Sequence, residues 1–238
     1  MHKFPRGAPM PPRIASAYMW SEELYFEHDI NAQLPGGMHE PGACPIQNKL
    51  TDAVWQELNA RWMKVFPTGQ LELQKLWAVL MFLPALSNAF EQGAPGVEPV
   101  INDWNKTHGK PLQYLETLSV FADLLDPISD EVYASLIERL ISNDLDSLAP
   151  LFSELYKAWE SSNLEDCTRL LPRLHLAQDP VVRKAFFDER NSAWLPRILE
   201  TLPNGKRTLI VVGAGHLCGP AGLVALLNRE GHRLKLLA

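Results

Sequence analysis

Close to the C-terminus the run RTLIVV (Arg207–Val212) enters a turn of small residues, GAGHLCG (Gly213–Gly219), followed by the helix pattern PAGLVALLNREG. An apolar run without polar alternation marks a strand buried on both faces, and such strands belong to parallel sheets covered by helices. The helix pattern stops at Gly231, and RLKLL (Arg233–Leu237) reads as one more strand. Strand, helix and strand form a βαβ unit, whose crossover imposes parallel pairing. The expected fold class is α/β: a small, largely parallel or mixed sheet with a large helical share, in one domain spanning residues 1–238.

Upstream, ELYFEHD (Glu23–Asp29) alternates like a strand with Leu24 and Phe26 on one face, after a short helix, Ile14–Ser21. A Pro/Gly-rich loop, Leu34–Pro45, precedes amphipathic helices at about Asn48–Val65 and Leu71–Gln92. GVEPVINDWNKTHG is a helix closed by Gly109, and KPLQYLE is a strand ending at Glu116. Helices are expected at Leu118–Leu125, Asp130–Asn143, Leu145–Glu160 and Leu164–Leu174. Asp179 caps a last long helix, with Pro180 at its first position and a kink expected at Pro196.

Composition narrows the function classes. A formal net charge of -6 disfavours a nucleic-acid binder, which would carry a basic face. No apolar run reaches the roughly 18 to 20 residues of a membrane span, and LWAVLMFLPAL (Leu76–Leu86) reads instead as a buried helix. The cysteines Cys44, Cys167 and Cys218 are odd in number and widely spaced, against both a disulfide framework and a Cys-rich zinc site. The N-terminal stretch lacks the apolar core of a signal peptide, which leaves the compartment open.

The ends of the strands point to a site. Glu27 comes late in one strand, Glu116 ends another, and Gly213–His216 follow a third. Loops at the carboxyl ends of parallel strands project polar groups into a common crevice, so two carboxylates and an imidazole would converge there. Arg190 falls on the apolar stripe of Phe186, Phe187, Ala193 and Trp194, where a guanidinium needs an anion such as Glu27, Glu116 or a substrate group. The bland alternatives are a capping histidine, solvated strand ends and an arginine whose head reaches water.

Other arrangements fail. The glycines of GAGHLCG stand where a dinucleotide loop would, but the chain ends before the acidic residue such a loop requires. No serine occupies a strand-to-helix elbow, which removes a Ser/His/Asp triad. His28 should face away from Glu27; His108, His175 and His232 read as helix-end or surface positions, and Cys218 as buried packing.

The segment VVGAGHLCGPAGLVALLNREGHRLKLL resembles the C-terminal signature of the TraB/GumN family, related to the Tiki metalloproteases. DERNSAW resembles that family's Glu-Arg-Asn helix, GVEPVINDWNKTHGKPLQYLET its central segment, and ELYFEHD its early glutamate-bearing strand. The family carries two Gly-x-x-His motifs. Met1 and His2 match the last two places of the first, so the Gly-Thr pair and the strand before it are expected upstream of this chain, with any signal peptide or lipid anchor.

The resemblance implies a metal-dependent hydrolase, peptidase- or amidase-like, acting on a peptide or other small-molecule substrate. Manganese or cobalt is the implied ion, with zinc also suited to imidazole and carboxylate ligands. His216 and His2 would be ligands or catalytic histidines, Glu27 and Glu116 ligand and base in either order, and Arg190 an orienting or oxyanion-stabilising group. Asn191 and Glu189 would support the ligands. Two other readings stay open: a non-catalytic metal, haem or small-ligand binder, and an inactive truncated relative.

Overall fold

The structure, a computed structural model, describes residues 10–32, 46–87, 96–143 and 145–235. His2, the loop Leu34–Pro45 with His39 and Cys44, and residues 88–92 of the expected second long helix lie outside the described residues.

In chain order the regular elements are α1 (Pro12–Trp20), β1 (Glu23–Phe26), α2 (Asp52–Val65), α3 (Leu76–Leu86), α4 (Val97–His108), β2 (Leu112–Tyr114) and α5 (Leu118–Leu125). There follow α6 (Asp130–Ser142), α7 (Leu148–Glu160), α8 (Leu164–Leu170), α9 (Pro180–Arg183), α10 (Glu189–Thr201), β3 (Thr208–Val211) and α11 (Leu223–Arg229). The three strands form a parallel sheet in the order β2-β1-β3, with Phe26 level with Tyr114 and with Val211.

Central β1 is buried throughout, because both sheet faces are covered. Leu24 and Phe26 pack with Tyr18, Val97 and Ile101 on one side. Tyr25 packs with Trp194, Ile198 and Leu223 on the other. Glu23 enters the strand buried, held by Thr208 Oγ1 at 2.7 Å, Asn204 Nδ2 at 3.2 Å and Lys206 Nζ at 3.3 Å. These bonds hold the carboxyl below the usual carboxylate range, the Thr208 hydroxyl first among them and burial opposing.

A second, helical core joins α2, α3, α5, α6, α7 and α8. LWAVLMFLPAL is its centre: Leu76, Trp77, Ala78, Val79, Leu80, Leu83 and Leu86 are all buried, as an apolar-all-round helix must be. Asp179 accepts from the Val181 and Val182 N–H groups, so the last long helix begins where the cap places it. Gly109, at φ 66°, closes α4.

Several elements differ from expectation. The helix expected from Asn48 begins at Asp52, because Thr51 is extended and its N–H is taken by Glu138 Oε1 at 2.8 Å. The one expected from Leu71 is a 3-10 turn followed by α3, whose start is anchored by Asp126 binding Lys75 Nζ at 2.6 Å and Trp77 Nε1 at 2.7 Å. Pro196 lies inside α10, and a π-helical turn at Lys184–Asp188, which the sequence did not announce, joins α9 to α10. No strand follows α11 through Lys235, and 236–238 lie outside the described residues. In that stretch Leu234 is the single aliphatic side chain and stays 46% exposed, so burial supplies no drive for pairing.

His175 also departs from its expected surface position. A 3-10 turn, His175–Ala177, folds it into the helical core beside Phe152, at 6.3 Å between ring centroids. Neither ring nitrogen has a well-formed hydrogen bond, and burial pushes the imidazole down to about 3, opposed only in part by the Leu80 backbone. The unfolded chain therefore binds a proton that the folded chain refuses. Stability should be full above about pH 6.5 and decline toward about pH 3, by at most about 1.4 kcal/mol per pH unit from this group. Urea unfolding across that range should show His175→Leu with a shallower acid loss than the wild type; parallel curves would contradict the assignment.

Candidate active site

The parallel register brings the expected groups together. Pairing continues one step past the strands, with Leu115 N–H donating to Phe26 O at 2.8 Å and Glu116 N–H to Glu27 O at 2.9 Å. Glu27 and Glu116 thus leave the carboxyl ends of β1 and β2 side by side, and the turn after β3 delivers His216 beside them. Glu27, Glu116, Arg190 and His216 are buried at 5%, 8%, 4% and 3% exposure.

Arg190 reaches this cluster from the first turn of α10. Its Nη2 donates to Glu27 Oε2 at 2.7 Å and to Glu116 Oε1 at 2.6 Å, and its Nε donates to Glu116 Oε1 at 2.8 Å. Nη1 donates to Phe186 O, within the π-helical turn, and contacts His216 Nε2, both at 3.1 Å. The guanidinium lies 4.6 Å from the Trp194 ring centroid and 4.7 Å from that of Phe121. Burial alone would lower its hold on the proton. The Glu27 and Glu116 charges more than reverse that, and its pKa is raised.

The two carboxylates differ in their partners. Glu116 accepts on both oxygens, Oε1 from Arg190 and Oε2 from Trp194 Nε1 at 3.0 Å. Glu27 divides its oxygens: Oε2 faces Arg190, while Oε1 accepts from Gly213 N–H at 2.6 Å and lies 3.8 Å from His216 Nε2.

The tautomer of His216 follows from its partners. Asn191 Nδ2 donates to Ala221 O at 2.9 Å, which turns Asn191 Oδ1 toward His216 Nδ1 at 2.7 Å. An amide oxygen only accepts, so Nδ1 carries the hydrogen. Nε2 faces an arginine N–H, which only donates, and so presents its lone pair. The His216 ring lies 4.5 Å from Trp194 and 5.2 Å from Phe187 between centroids.

Asn191 therefore belongs to the cluster. Glu189 does not: it pairs with Lys184 at 3.0 Å and is 40% exposed. Ala193 is exposed, so the buried stripe of α10 runs through Arg190, Asn191, Trp194 and Ile198. His28 was expected opposite Glu27, yet both line one cavity of about 160 Å³, because the strand ends at Phe26 and alternation ends with it. Trp194 had no assigned role in the sequence, and neither did the buried Glu98, which lines the same cavity. Its signal was the glutamate of GVEP at the head of α4.

Among the described residues, no three His, Cys, Asp or Glu side chains are grouped to hold a metal ion. No helix among the described residues is long and apolar enough to cross a membrane. The fold is a three-stranded parallel sheet carrying acidic, guanidinium and imidazole groups at its carboxyl ends. The chain belongs to the TraB/PrgY/gumN family, whose pattern it matches over residues 1–235. No curated protein and no solved structure matches the chain.

Two variants test the site's construction. Arg190→Met strands two buried carboxylates and should cost about 3–5 kcal/mol at neutral pH. Urea unfolding of the variant beside the wild type reads that cost, and unchanged stability would contradict the buried pairing. A Cβ on Gly215 would sit 2.6 Å from Phe187 Cε1 and 3.3 Å from Leu171 Cδ1. Gly215→Ala should therefore displace the turn bearing His216 and cost about 1–3 kcal/mol as overpacking; unchanged stability would contradict that contact.

Proposed function

We propose that this protein is a metal-dependent hydrolase, acting on a peptide, amide or comparable small-molecule bond at the carboxyl ends of its sheet. The observation that carries the reading is the pairing of His216 Nε2 with Glu27 Oε1, 3.8 Å apart, the imidazole fixed by Asn191 as the tautomer a metal ligand needs. Glu27 and Glu116 with Arg190 leave one negative charge in excess, so the cluster suits a cation. The donors fit a divalent ion of the manganese, cobalt or zinc kind.

Glu27 and His216 would hold that ion, with a further ligand such as His2 from outside the described residues. Glu116 is saturated by Arg190 and Trp194, and serves to hold the guanidinium rather than to ligate. When bound, the ion would supply an activated water and polarise a carbonyl. Arg190 keeps its N–H groups aimed at the centre of the cluster, where negative charge on a substrate oxygen would be stabilised. The His216 lone pair serves either Arg190 or an ion, so binding must release that N–H. The cavity bordered by Phe26, Glu27 and Pro99 would admit the substrate.

Calorimetric titration with manganese, alongside a metal-supplemented peptidase screen, tests this reading. His216→Ala and Glu27→Gln should each abolish ion binding, whereas Glu116→Gln should retain it within about tenfold, since tenfold is only about 1.4 kcal/mol. Binding unchanged in His216→Ala would remove the metal assignment. Ion binding without turnover of any peptide or amide would favour a binding protein.

A further inference from the structure

The turn after β1 and the first turn of α4 frame the cavity of about 160 Å³ that borders Glu27. Buried Phe26, Glu27 and Glu98 form its base, and half-buried His28 with exposed Ile30 and Pro99 form its mouth. The mouth is held in shape: Asp29 Oδ1 accepts from Asn31 N–H at 2.9 Å, which closes the turn around Ile30, and Pro99 has a fixed φ within α4. Two residues of the base are acids, yet their oxygens are mostly turned elsewhere. Glu27 directs its own to Arg190 and to Gly213 N–H, and Glu98 Oε2 is enclosed. The surface a ligand meets is therefore mostly hydrocarbon. Ile30 adds a second observation, since this aliphatic side chain stands 37% exposed at the mouth, where a seated apolar group would take it out of water.

We infer that this cavity is the subsite for an apolar substrate side chain of leucine to phenylalanine size, with Ile30 and Pro99 as its specificity-determining residues. The inference rests on the hydrolase reading for the reaction, and on the cavity alone for the fit of the side chain. An apolar cavity of about 150 Å³ is enough to hold benzene. One of this size therefore takes a branched aliphatic or a phenyl group, and glycine would leave it unfilled. Seating such a group removes apolar surface of both partners from water. A charged side chain would instead exchange water for hydrocarbon, and a carboxylate would also approach Glu27 and Glu98. A group seated here touches Glu27, so the backbone that carries it lies beside the cluster of Glu27 and His216. The cavity thus selects the residue next to the bond presented there.

The test is a chemical-shift titration of the full chain, with no metal added, using N-acetyl-leucinamide, N-acetyl-glycinamide and N-acetyl-lysinamide as probes. The leucine probe should bind about tenfold tighter than the glycine probe or better, the discrimination a hydrophobic pocket supplies. Ile30→Trp closes the mouth and Ile30→Asp charges it, so each should bring the two probes to parity. Both variants change an exposed position and should keep the wild-type melting temperature; if one does not, the other decides. No shift with the leucine probe, equal affinities in the wild type, or a leucine preference that survives the Ile30 variants would overturn the inference. So would tighter binding of the lysine probe, which would make Glu98 the seat of a cation. Because the titration needs neither ion nor turnover, a leucine preference without any hydrolysis would uphold the subsite and remove the hydrolase reading. Turnover of peptides with no preference for an apolar residue would remove the subsite alone.

Discussion

A guanidinium enclosed between two carboxylates is the interaction around which the rest of this structure is arranged. Arg190, Glu27 and Glu116 are all buried. Removing Arg190 would leave both carboxylates without compensation in a medium that solvates them poorly. Their contacts require β1 and β2 to end at the same level, β3 to turn beside them, and α10 to lie across the ends. The ion pairs therefore report the correct assembly of elements far apart in sequence, Arg190 and Glu27 being separated by 163 positions. Such a cluster contributes less to net stability than to uniqueness, since its attraction is largely offset by the cost of desolvation.

The π-helical turn at Lys184–Asp188 shows how the backbone accommodates this arrangement. It directs the Phe186 carbonyl to the Arg190 side chain and lets Phe186 and Phe187 join the helical core while Arg190 and Trp194 face the sheet. The same long helix thus links the two parts of the molecule. On the helical side His175 is buried against Phe152, and its neutrality below the normal imidazole range is a consequence chiefly of that burial. On the sheet side every polar group named in the cluster has an assigned partner, and that satisfaction fixes the tautomer of His216.

Equivalent position in the fold does not confer equivalent chemistry. Glu27 and Glu116 both leave the carboxyl ends of neighbouring parallel strands, yet Trp194 and Arg190 consume the oxygens of Glu116 while Glu27 keeps one oxygen turned toward His216. The difference in their partners follows from an indole N–H whose presence at the site no spacing rule announces. The cavity shared by Cys167 and Cys218 has the same origin, because an odd, scattered set of cysteines gives no hint of it.

Local chemistry made much of the architecture legible: the alternation of β1, the apolar runs of β3 and α3, the Asp179 cap, the Gly109 stop and the strand-end placement of Glu27, Glu116 and His216 each follow from near neighbours in the chain. Local reading failed where a distant partner decided the outcome. Asp126 and Glu138 set where α3 and α2 begin, the helical core enclosed His175, and the exposed Leu234 left the segment after α11 without a burial drive for pairing. Periodicity and capping act over one or two turns and can be read along the chain. Charge compensation and tautomer depend on separations of a few ångströms between residues many positions apart, and those exist only once the chain has packed.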